Sequence, residues 1–245
     1  MDSYPNEEIP MNTTNRTALI TGASDGLGRA LARELAGQGW HAVITARGAG
    51  RLHSLSDELG DNATAIAGDV ADPLHRVELA GAIARIGRLD LIVNNASRLG
   101  PSPMPLLSDF PLDELLQVYE TNVVAPLGVL QVALPYLDAI RGIVINISSD
   151  AGVEPYEGWG GYGSSKAALD HLTAIFAAEH PNLSVYSFDP GDMRTEMHQA
   201  AFPDEDISDR PAPETVVPAL FALIDLHPPS GRYVGAQLLT AQGAS

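Results

Sequence analysis

The segment TALITGASDGLGRAL (residues 17–31) carries the strongest fold signal in this sequence. It contains an apolar, β-branched run, then a turn with Gly22, Gly26 and Gly28, then an apolar pattern with helical periodicity. A strand that leads through a tight glycine turn into a helix N-terminus brings backbone N–H groups close to a pyrophosphate, and the helix dipole adds positive potential there. The segment therefore predicts a nucleotide site, although a lone glycine pattern also occurs in ordinary turns between a strand and a helix.

The alternation of strand and helix patterns continues along the chain. Strands are predicted at residues 17–21, 41–46, 63–68, 90–95, 142–148, 183–188 and 232–239, and helices at residues 27–38, 52–59, 74–86, 112–138, 162–179 and 213–226. Several strands are apolar at consecutive positions, as expected when helices cover both faces of a sheet. We predict an α/β fold, a doubly wound parallel sheet of about seven strands. Pro126 and Pro135 predict a kink or break in the fourth helix.

The chain is predicted to form one domain over residues 16–245, preceded by a flexible N-terminal tail at residues 1–15. That polar leader lacks the basic-then-apolar order of a signal peptide. Residues 195–213 are acidic and interrupted by prolines, and the segment is long for a connection in a compact domain. We interpret residues 195–213 as a substrate lid.

The charge balance favours a small-molecule partner. The chain has 31 acidic residues against 14 Lys and Arg, a formal net charge of −17, which repels nucleic acid and anionic membranes. No segment approaches the ~18 consecutive apolar residues of a membrane span. The absence of cysteine in the sequence removes thiolate metal sites and cysteine nucleophiles, and it is compatible with a reducing compartment. We expect a cytoplasmic protein without a metal.

Lys166, in the stretch GGYGSSKAALD (residues 160–170), is the only lysine of the chain. Tyr162 precedes it by four residues on a predicted helix, so the two side chains share a face. An adjacent ammonium lowers the pKa of a phenol toward operating pH, and lysine can serve a ribose hydroxyl and a phenol together. An isolated pair of this kind is more often a half-buried tyrosine beside a snorkelling lysine.

Arg47 favours NADP over NAD. Dinucleotide sites usually bind the adenosine ribose with an acid at the end of the second strand, and Ala46 occupies that position here. Arg47 follows and can bind a 2′-phosphate. Asp25 in the glycine turn weighs against this preference, and Arg47 is alternatively only a solvated surface charge.

Six motifs in register resemble the short-chain dehydrogenase/reductase family, in its compact subgroup. They are TGxxxGxG (Thr21, Gly22, Gly26, Gly28), NNAS for the family's NNAG (residues 94–97), the helix asparagine Asn122, the serine Ser149, YxxxK (Tyr162, Lys166) and PG with a following threonine (Pro190, Gly191, Thr195). Asp69 matches the acid often found after the third strand. Ser97 departs from the family's glycine, and the frequent C-terminal DGG is absent.

The resemblance implies a Rossmann-like fold and an NAD(P)-dependent oxidoreductase acting on a small carbonyl or alcohol. The implied catalytic residues are Asn122, Ser149, Tyr162 and Lys166. The implied cofactor-binding residues are Gly22, Ser24, Asp25, Gly26, Leu27, Gly28, Arg47, Asp69, Val70, Asn95, Ala96, Tyr162, Lys166, Pro190, Gly191 and Thr195. Asn122 would support Lys166 through a water, or alternatively hydrogen-bond helix backbone beside Pro126. Thr195 would contact the carboxamide of the nicotinamide, or alternatively cap the lid segment.

In the mechanism implied by the resemblance, Tyr162 donates a proton to the carbonyl oxygen as hydride reaches the carbon, and Ser149 orients that oxygen. Substrate-site candidates are Ser149, Val153, Tyr156, Trp159 and Met197, with Leu99 and Met104 beside them; their apolar and aromatic character suggests a hydrophobic substrate, although they could equally be core or interface. Family members commonly form homodimers or homotetramers, which we expect here. A non-catalytic, NAD(P)-sensing regulator on the same fold is the alternative function.

Overall fold

The computed structural model of the protein describes residues 16–243. The predicted N-terminal tail, residues 1–15, lies outside the described residues. Within the described part of the chain, no helix is both long and apolar enough to cross a membrane.

A seven-stranded parallel sheet forms the centre of the fold, as the sequence predicts. Its strands are β1 (Thr17–Thr21), β2 (His41–Ala46), β3 (Ala63–Ala67), β4 (Leu91–Asn94), β5 (Ile143–Ile147), β6 (Ser184–Asp189) and β7 (Gly231–Val234). They are ordered β3-β2-β1-β4-β5-β6-β7. The order reverses between β1 and β4, so a crevice opens there at the carboxyl ends of the strands.

Helices cover both faces of this Rossmann-like sheet. They are α1 (Gly26–Gly37), α2 (Ala49–Leu59), α3 (Pro73–Ile86), α4 (Leu112–Tyr119), α5 (Ala125–Asp138), α6 (Gly160–Glu179), α7 (Glu196–Ala201), α8 (Val217–Leu226) and α9 (Gly235–Gly243). Short 3-10 turns lie at Gly60–Asn62, Leu107–Asp109, Asp150–Gly152 and Pro213–Thr215, and a π-helical turn lies at Glu120–Val124.

Successive residues of β1 enter two separate cores. Ala18 and Ile20 pack in a cluster that includes Leu31 of α1 and Leu220 of α8. Leu19 faces the other way, into a cluster with residues of α3 and α5. Because side chains alternate across a strand, both faces of β1 are dry, which explains its uninterrupted apolar sequence.

The predicted seventh strand is wrong beyond Val234. The chain leaves the sheet at Gly235 and forms α9 instead of continuing as a strand to residue 239. β7 is an edge strand that pairs only with β6 among the described strands. The residues after Val234 include Ala, Gln and Leu, which are good helix formers, so local propensity prevails where the ladder has one partner.

The helix predicted at residues 112–138 is interrupted, as its prolines suggested. The break is the π-helical turn Glu120–Val124, just before Pro126 in the first turn of α5. Proline is tolerated there because the first N–H groups of a helix have no partner in the helix. Pro135 lies inside α5 and does not end it.

The segment predicted as a lid, residues 195–213, contains a short helix, α7.

Gly163 provides a test of how α6 packs. A Cβ on Gly163 would lie 2.5 Å from the backbone oxygen of Ala151, whereas a Cβ on Gly81 of α3 would meet only the Arg85 side chain, at 3.6 Å. We expect Gly163→Ala to lower the free energy of unfolding by about 1–3 kcal/mol through overpacking. Gly81→Ala should raise it by about 0.5–1 kcal/mol through helix propensity. Urea unfolding of both variants measures this, and equal shifts would contradict the close approach.

Candidate active site

A cavity of about 320 Å³ opens at the carboxyl ends of the strands, beside the switch between β1 and β4. Many residues predicted for the cofactor or substrate line it: Gly22, Asp25, Gly26, Leu27, Arg47, Asn95, Ala96, Leu99, Ser149, Trp159, Tyr162, Lys166, Pro190, Gly191, Thr195 and Met197. One continuous cavity therefore connects the glycine turn with the Tyr–Lys pair.

Other predicted residues lie outside this lining: Ser24, Gly28, Asp69, Val70, Met104, Asn122, Val153 and Tyr156. The Asp69 carboxylate accepts from the Ala71 backbone N–H at 2.9 Å, which closes a turn after β3. The side chains of Val153 and Tyr156 are exposed, at 59% and 47%. The fold thus does not bring the predicted cofactor residues Asp69 and Val70 into the cavity. It also leaves the predicted substrate residues Val153 and Tyr156 outside the lining.

The glycine turn has the backbone that its sequence requires. Gly22 and Gly26 adopt φ of +65° and +52°, in the left-handed region that favours glycine. The Asp25 carboxylate accepts from the Gly26 N–H at 2.8 Å and caps α1. Asp25, which the sequence presented as an obstacle to NADP, therefore has a structural role at the helix start.

Asn95 joins the glycine turn to the end of β4. Its side-chain amide donates to the backbone oxygens of Thr21 and Gly22, at 3.0 and 3.1 Å. In return, the Thr21 hydroxyl accepts from the Asn95 and Ala96 N–H groups, both at 3.0 Å. Asn95 thus shapes the cavity floor with hydrogen bonds to protein.

Asn122 lies on the π-helical turn and is fully buried. Its Oδ1 accepts from the Ser97 hydroxyl at 3.2 Å and from the Arg98 N–H at 2.8 Å. Its Nδ2 donates to the Arg98 oxygen and to the Ser165 hydroxyl, both at 2.9 Å. The alternative that Asn122 satisfies helix backbone beside Pro126 is wrong, because its partners lie in the β4–α4 connection and on α6. Its predicted support of Lys166 stays a prediction.

Thr195 and Ser149 both begin short helical segments. The Thr195 hydroxyl accepts from the His198 N–H at 3.1 Å, so its alternative role as a cap of the predicted lid segment is realised. The Ser149 hydroxyl accepts from the Ala151 N–H at 3.2 Å and donates to the Asp150 carboxylate at 2.9 Å. Both side chains nonetheless line the cavity, where a ligand can compete for them.

Tyr162 and Lys166 lie together on α6, 9% and 2% exposed. The Lys166 ammonium donates to the Ile147 backbone oxygen at 2.7 Å, and its Nζ lies 5.4 Å from the Tyr162 ring centre. Trp159 packs edge-on against the same ring, with centroids 5.8 Å apart. The pair thus lines the cavity with little of either side chain exposed to solvent.

Burial governs the ionisation of both groups. It raises the pKa of the Tyr162 phenol well above its ordinary value, while the hydroxyls of Ser97 and Ser149 act in the opposite direction. Burial also lowers the pKa of Lys166 to about 8, against a smaller opposite effect of Asp170. The sequence predicted a lowered pKa for Tyr162, and the structure differs because desolvation disfavours the charged form of each residue.

Sequence reasoning missed several cavity residues. Arg51 of α2 lines the cavity with Arg47, and its guanidinium contacts Glu196 at 2.7 Å and Asp25 at 3.4 Å. The sequence predicted this helix to begin at residue 52, but α2 begins at Ala49, so Arg51 lies in its first turn and not in the loop before it. Asp189, Asp192 and His198 also line the cavity, and no local pattern marked them because the tertiary fold brings their loops together.

A buried polar chain fixes α6 against the sheet. The Asn94 amide donates to Asn146 at 2.8 Å, and the Asn146 amide donates to the Thr173 hydroxyl at 2.8 Å. The chain crosses β4, β5 and α6, and all three side chains are buried. It holds the helix that carries Tyr162 and Lys166 in one register relative to the strands.

Comparison with known proteins agrees with this geometry. A profile of the short chain dehydrogenase family matches residues 16–206. Serine 3-dehydrogenase from Rhizobium radiobacter is 37% identical over 184 residues, which cover 74% of this chain and 73% of that protein. The chain belongs to the short-chain dehydrogenase family. Sepiapterin reductase from Mus musculus is 33% identical over 199 residues, 75% of this chain and 76% of that protein.

Solved structures resemble this short-chain dehydrogenase over nearly its whole described length. One from Shigella flexneri, complexed with NADP, has a TM-score of 0.83 at 28% identity and covers 89% of this chain and 95% of that one. Another from Escherichia coli CFT073, complexed with NADPH, has a TM-score of 0.82 at 28% identity, over 90% of this chain and 96% of that one. The protein is therefore an oxidoreductase of this family.

The residues present fit a dinucleotide. The positive-φ turn at Gly22 and Gly26 and the start of α1 form an anion site, and two guanidinium groups flank it at the end of β2 and on α2. Gly191 also has a positive φ, of +73°, and a Cβ there would meet no protein atom within 4 Å. Backbone is thus open to a ligand on both sides of the cavity.

The buried ammonium of this short-chain dehydrogenase predicts a pH-dependent stability. Lys166 has a pKa of about 8 when folded, against an ordinary 10.5, so between these values the unfolded chain binds a proton that the folded chain does not. The free energy of unfolding therefore rises with pH across this window.

Lys166→Met removes the titrating amine from both the folded and the unfolded chain. Relative to this variant, we expect the wild type to gain about 3 kcal/mol between about pH 7 and about pH 11. Denaturant unfolding at several pH values measures the difference. Parallel stability curves for the two proteins would refute the depressed pKa.

Proposed function

We propose that this short-chain dehydrogenase transfers a hydride between NADP(H) and a small, hydrophobic carbonyl or alcohol, with Tyr162 as general acid and base. The observation that carries the proposal is the convergence of Ser149, Tyr162 and Lys166 on one wall of the cavity that begins at the glycine turn. The dinucleotide supplies the hydride when bound, and the remaining chemistry falls to the protein.

Each side chain has a distinct task in the reduction. Tyr162 donates its phenolic proton to the substrate oxygen, and its raised pKa keeps that proton in place at neutral pH. Ser149 turns its hydroxyl from Asp150 toward the same oxygen. The Lys166 ammonium, held by the Ile147 oxygen, stabilises the phenolate that forms and binds the nicotinamide ribose.

Tyr162→Phe tests the proton transfer. Removing one hydroxyl leaves the aromatic packing with Trp159 intact, so we expect NADPH binding within about twofold of wild type and turnover reduced by about 10²–10⁴. NADPH consumption with aldehydes, cyclic ketones, aryl ketones and ketoesters measures turnover, and cofactor fluorescence measures binding.

The matched control for Tyr162→Phe is Tyr136→Phe, on α5 beside the second core, outside the cavity lining. It should turn over like the wild type. Wild-type rates in Tyr162→Phe would sink the mechanism. Intact binding with no turnover in wild type across the panel would instead favour the sensing alternative, which the names of the relatives do not support.

We also propose a preference for NADP over NAD. Arg47 and Arg51 both line the end of the cavity near the glycine turn, and no carboxylate follows β2 at Ala46. A 2′-phosphate there would give Arg47 an anionic partner and could draw Arg51 from Glu196, whereas a 2′-hydroxyl offers neither guanidinium group a charge. Neighbours solved with NADP and NADPH support the proposal.

Arg47→Ala should weaken NADPH about 10–100-fold and NADH less than about threefold, because only NADPH carries the 2′-phosphate. Titration of each cofactor by fluorescence measures both dissociation constants. Arg85→Ala, an exposed arginine on α3, removes the same charge elsewhere and should change neither. Equal weakening of NADPH and NADH in Arg47→Ala would refute the assignment.

A hydrophobic and uncharged substrate suits the cavity. Leu99, Trp159 and Met197 belong to one small apolar cluster that includes Tyr162. Asp150 and Asp192 line the same cavity and would repel a carboxylate or phosphate on the substrate. Two relatives are named serine 3-dehydrogenase and sepiapterin reductase. For this chain, we expect a preference for a ketone or alcohol without an acidic group.

We propose that residues 195–213 act as a lid over the cavity. Thr195, Met197 and Ala201 line the cavity, and the segment is tied to the loop after β4 by the Ser102 hydroxyl, which donates to the Ala200 oxygen at 2.7 Å. We propose a homodimer or homotetramer that forms through two helical surfaces, one over α4, the π-helical turn and α5, and one on α6. Leu112 and Leu116 on α4, Val124 on the π-helical turn and Ile175 on α6 are 74%, 66%, 53% and 42% exposed. Cytoplasmic location stays a prediction from the sequence.

A further inference from the structure

Arg232 connects three elements behind the cavity. It lies on β7, and its guanidinium donates to the Asp170 carboxylate at 3.1 Å, to the Asp189 carboxylate at 3.0 Å and to the Ser149 backbone oxygen at 3.1 Å. Asp170 stands one helical turn beyond Lys166 on α6. Arg232 itself is outside the cavity lining, so any effect on the reaction must pass through its partners.

The contacts of Arg232 extend into the cavity wall. The second oxygen of Asp189 accepts from the Gly191 N–H at 3.0 Å, and both residues line the cavity. One guanidinium thus fixes the backbone of Ser149 on one side and, through Asp189, the turn at Pro190 and Gly191 on the other. The planar fork of arginine suits several acceptors at once, which an ammonium does not.

The two carboxylates are poorly hydrated. The Asp189 and Asp170 side chains are 6% and 16% exposed, and Arg232 is 29% exposed. Asp170 Oδ1 is buried with no hydrogen-bond partner among the described residues. Buried charges of one sign without a counter-charge are costly, so Arg232 is the group that makes this acidic pair tolerable.

We propose that Arg232 is a positioning residue of this enzyme: it holds Ser149 and the Gly191 turn in place and neutralises Asp170 and Asp189 behind Tyr162 and Lys166. The proposal rests on the proposed hydride transfer for its kinetic consequence, but not for its electrostatic one. In an acidic chain, the reacting pair would otherwise lie in the field of two uncompensated carboxylates.

The electrostatic consequence has a defined sign. Asp170 raises the pKa of Lys166, and Asp189 and Asp150 raise that of Tyr162. The charged or titratable groups around the pair are Tyr162, Lys166 and Asp170 on α6, Asp189 on β6, Asp150 after β5 and Arg232 on β7; the π-helical turn contributes the neutral Asn122. Removing the Arg232 cation leaves the acids unopposed, so both pKa values rise.

The single lysine makes the test direct. Protein labelled with ¹³C at lysine Cε gives one side-chain signal, and its titration in the cofactor-free protein reports the pKa of Lys166 alone. We expect Arg232→Gln to raise this pKa by about one unit. Arg232→Lys, which keeps the charge, should leave it near the wild-type value.

Arg232→Gln combined with Asp170→Asn removes one charge of each sign and should return the titration toward the wild type. A merely structural role of Arg232 would not be reversed by deleting its partner. An unshifted lysine titration in Arg232→Gln, or equal shifts in Arg232→Gln and Arg232→Lys, would overturn the neutralising role.

Kinetics test the positioning of Ser149. We expect Arg232→Gln to lower kcat roughly tenfold, with Arg232→Lys intermediate because its ammonium cannot serve three acceptors. KM for NADPH should rise less than kcat falls, since Arg232 reaches the cofactor side of the cavity only through Asp189 and the Gly191 turn, whereas it bonds the Ser149 backbone directly. An unchanged kcat in Arg232→Gln would overturn the positioning role. Wild-type protein that shows the lysine titration but turns over no substrate would refute the proposed function and leave the charge assignment standing.

Discussion

The close approach of the glycine turn to the end of β4 sets the geometry of the whole crevice. A Cβ at Gly22 would lie 2.8 Å from the Ala96 Cα, and a Cβ at Gly28 would lie 2.5 Å from the Asn95 amide. Glycine at these positions lets the Asn95 amide bond two backbone oxygens of the turn. If the glycine turn and the end of β4 moved apart, these hydrogen bonds would be lost, and if they moved closer, their atoms would collide. β1, α1 and β4 therefore meet in one arrangement, and the cavity opens beside it.

The second determinant is desolvation at α6. Tyr162 and Lys166 are buried side by side, and burial shifts both away from their charged forms. The protein has a net charge of −17, yet arginines lie at and behind the cavity: Arg47 and Arg51 line it near the glycine turn, and Arg232 lies behind Tyr162 and Lys166. Charge in this molecule is therefore organised locally, and the global balance says little about which ligand the cavity accepts.

The parts of the fold that the sequence predicted are those in which local pattern and tertiary environment agree. β1 is apolar on both faces and is buried on both faces. Gly22 and Gly26 were predicted to form a tight turn, and both have positive φ. The failure at β7 lies where neighbours decide: Val234 ends the strand because the edge of the sheet offers a single ladder. The break predicted in the helix after Leu112 is present, as a π-helical turn before Pro126.

The sequence by itself determined the fold class, the family and the spacing of Ser149, Tyr162 and Lys166, because hydrophobic periodicity, glycine at strained positions and a four-residue step on a helix are local properties. Only the tertiary structure decided what surrounds them. It occupied the Asn122 amide with the β4–α4 connection and brought Arg232 from the last strand to Ser149. Such contacts join residues far apart in the chain, and their energies depend on burial and distance, which no local pattern encodes.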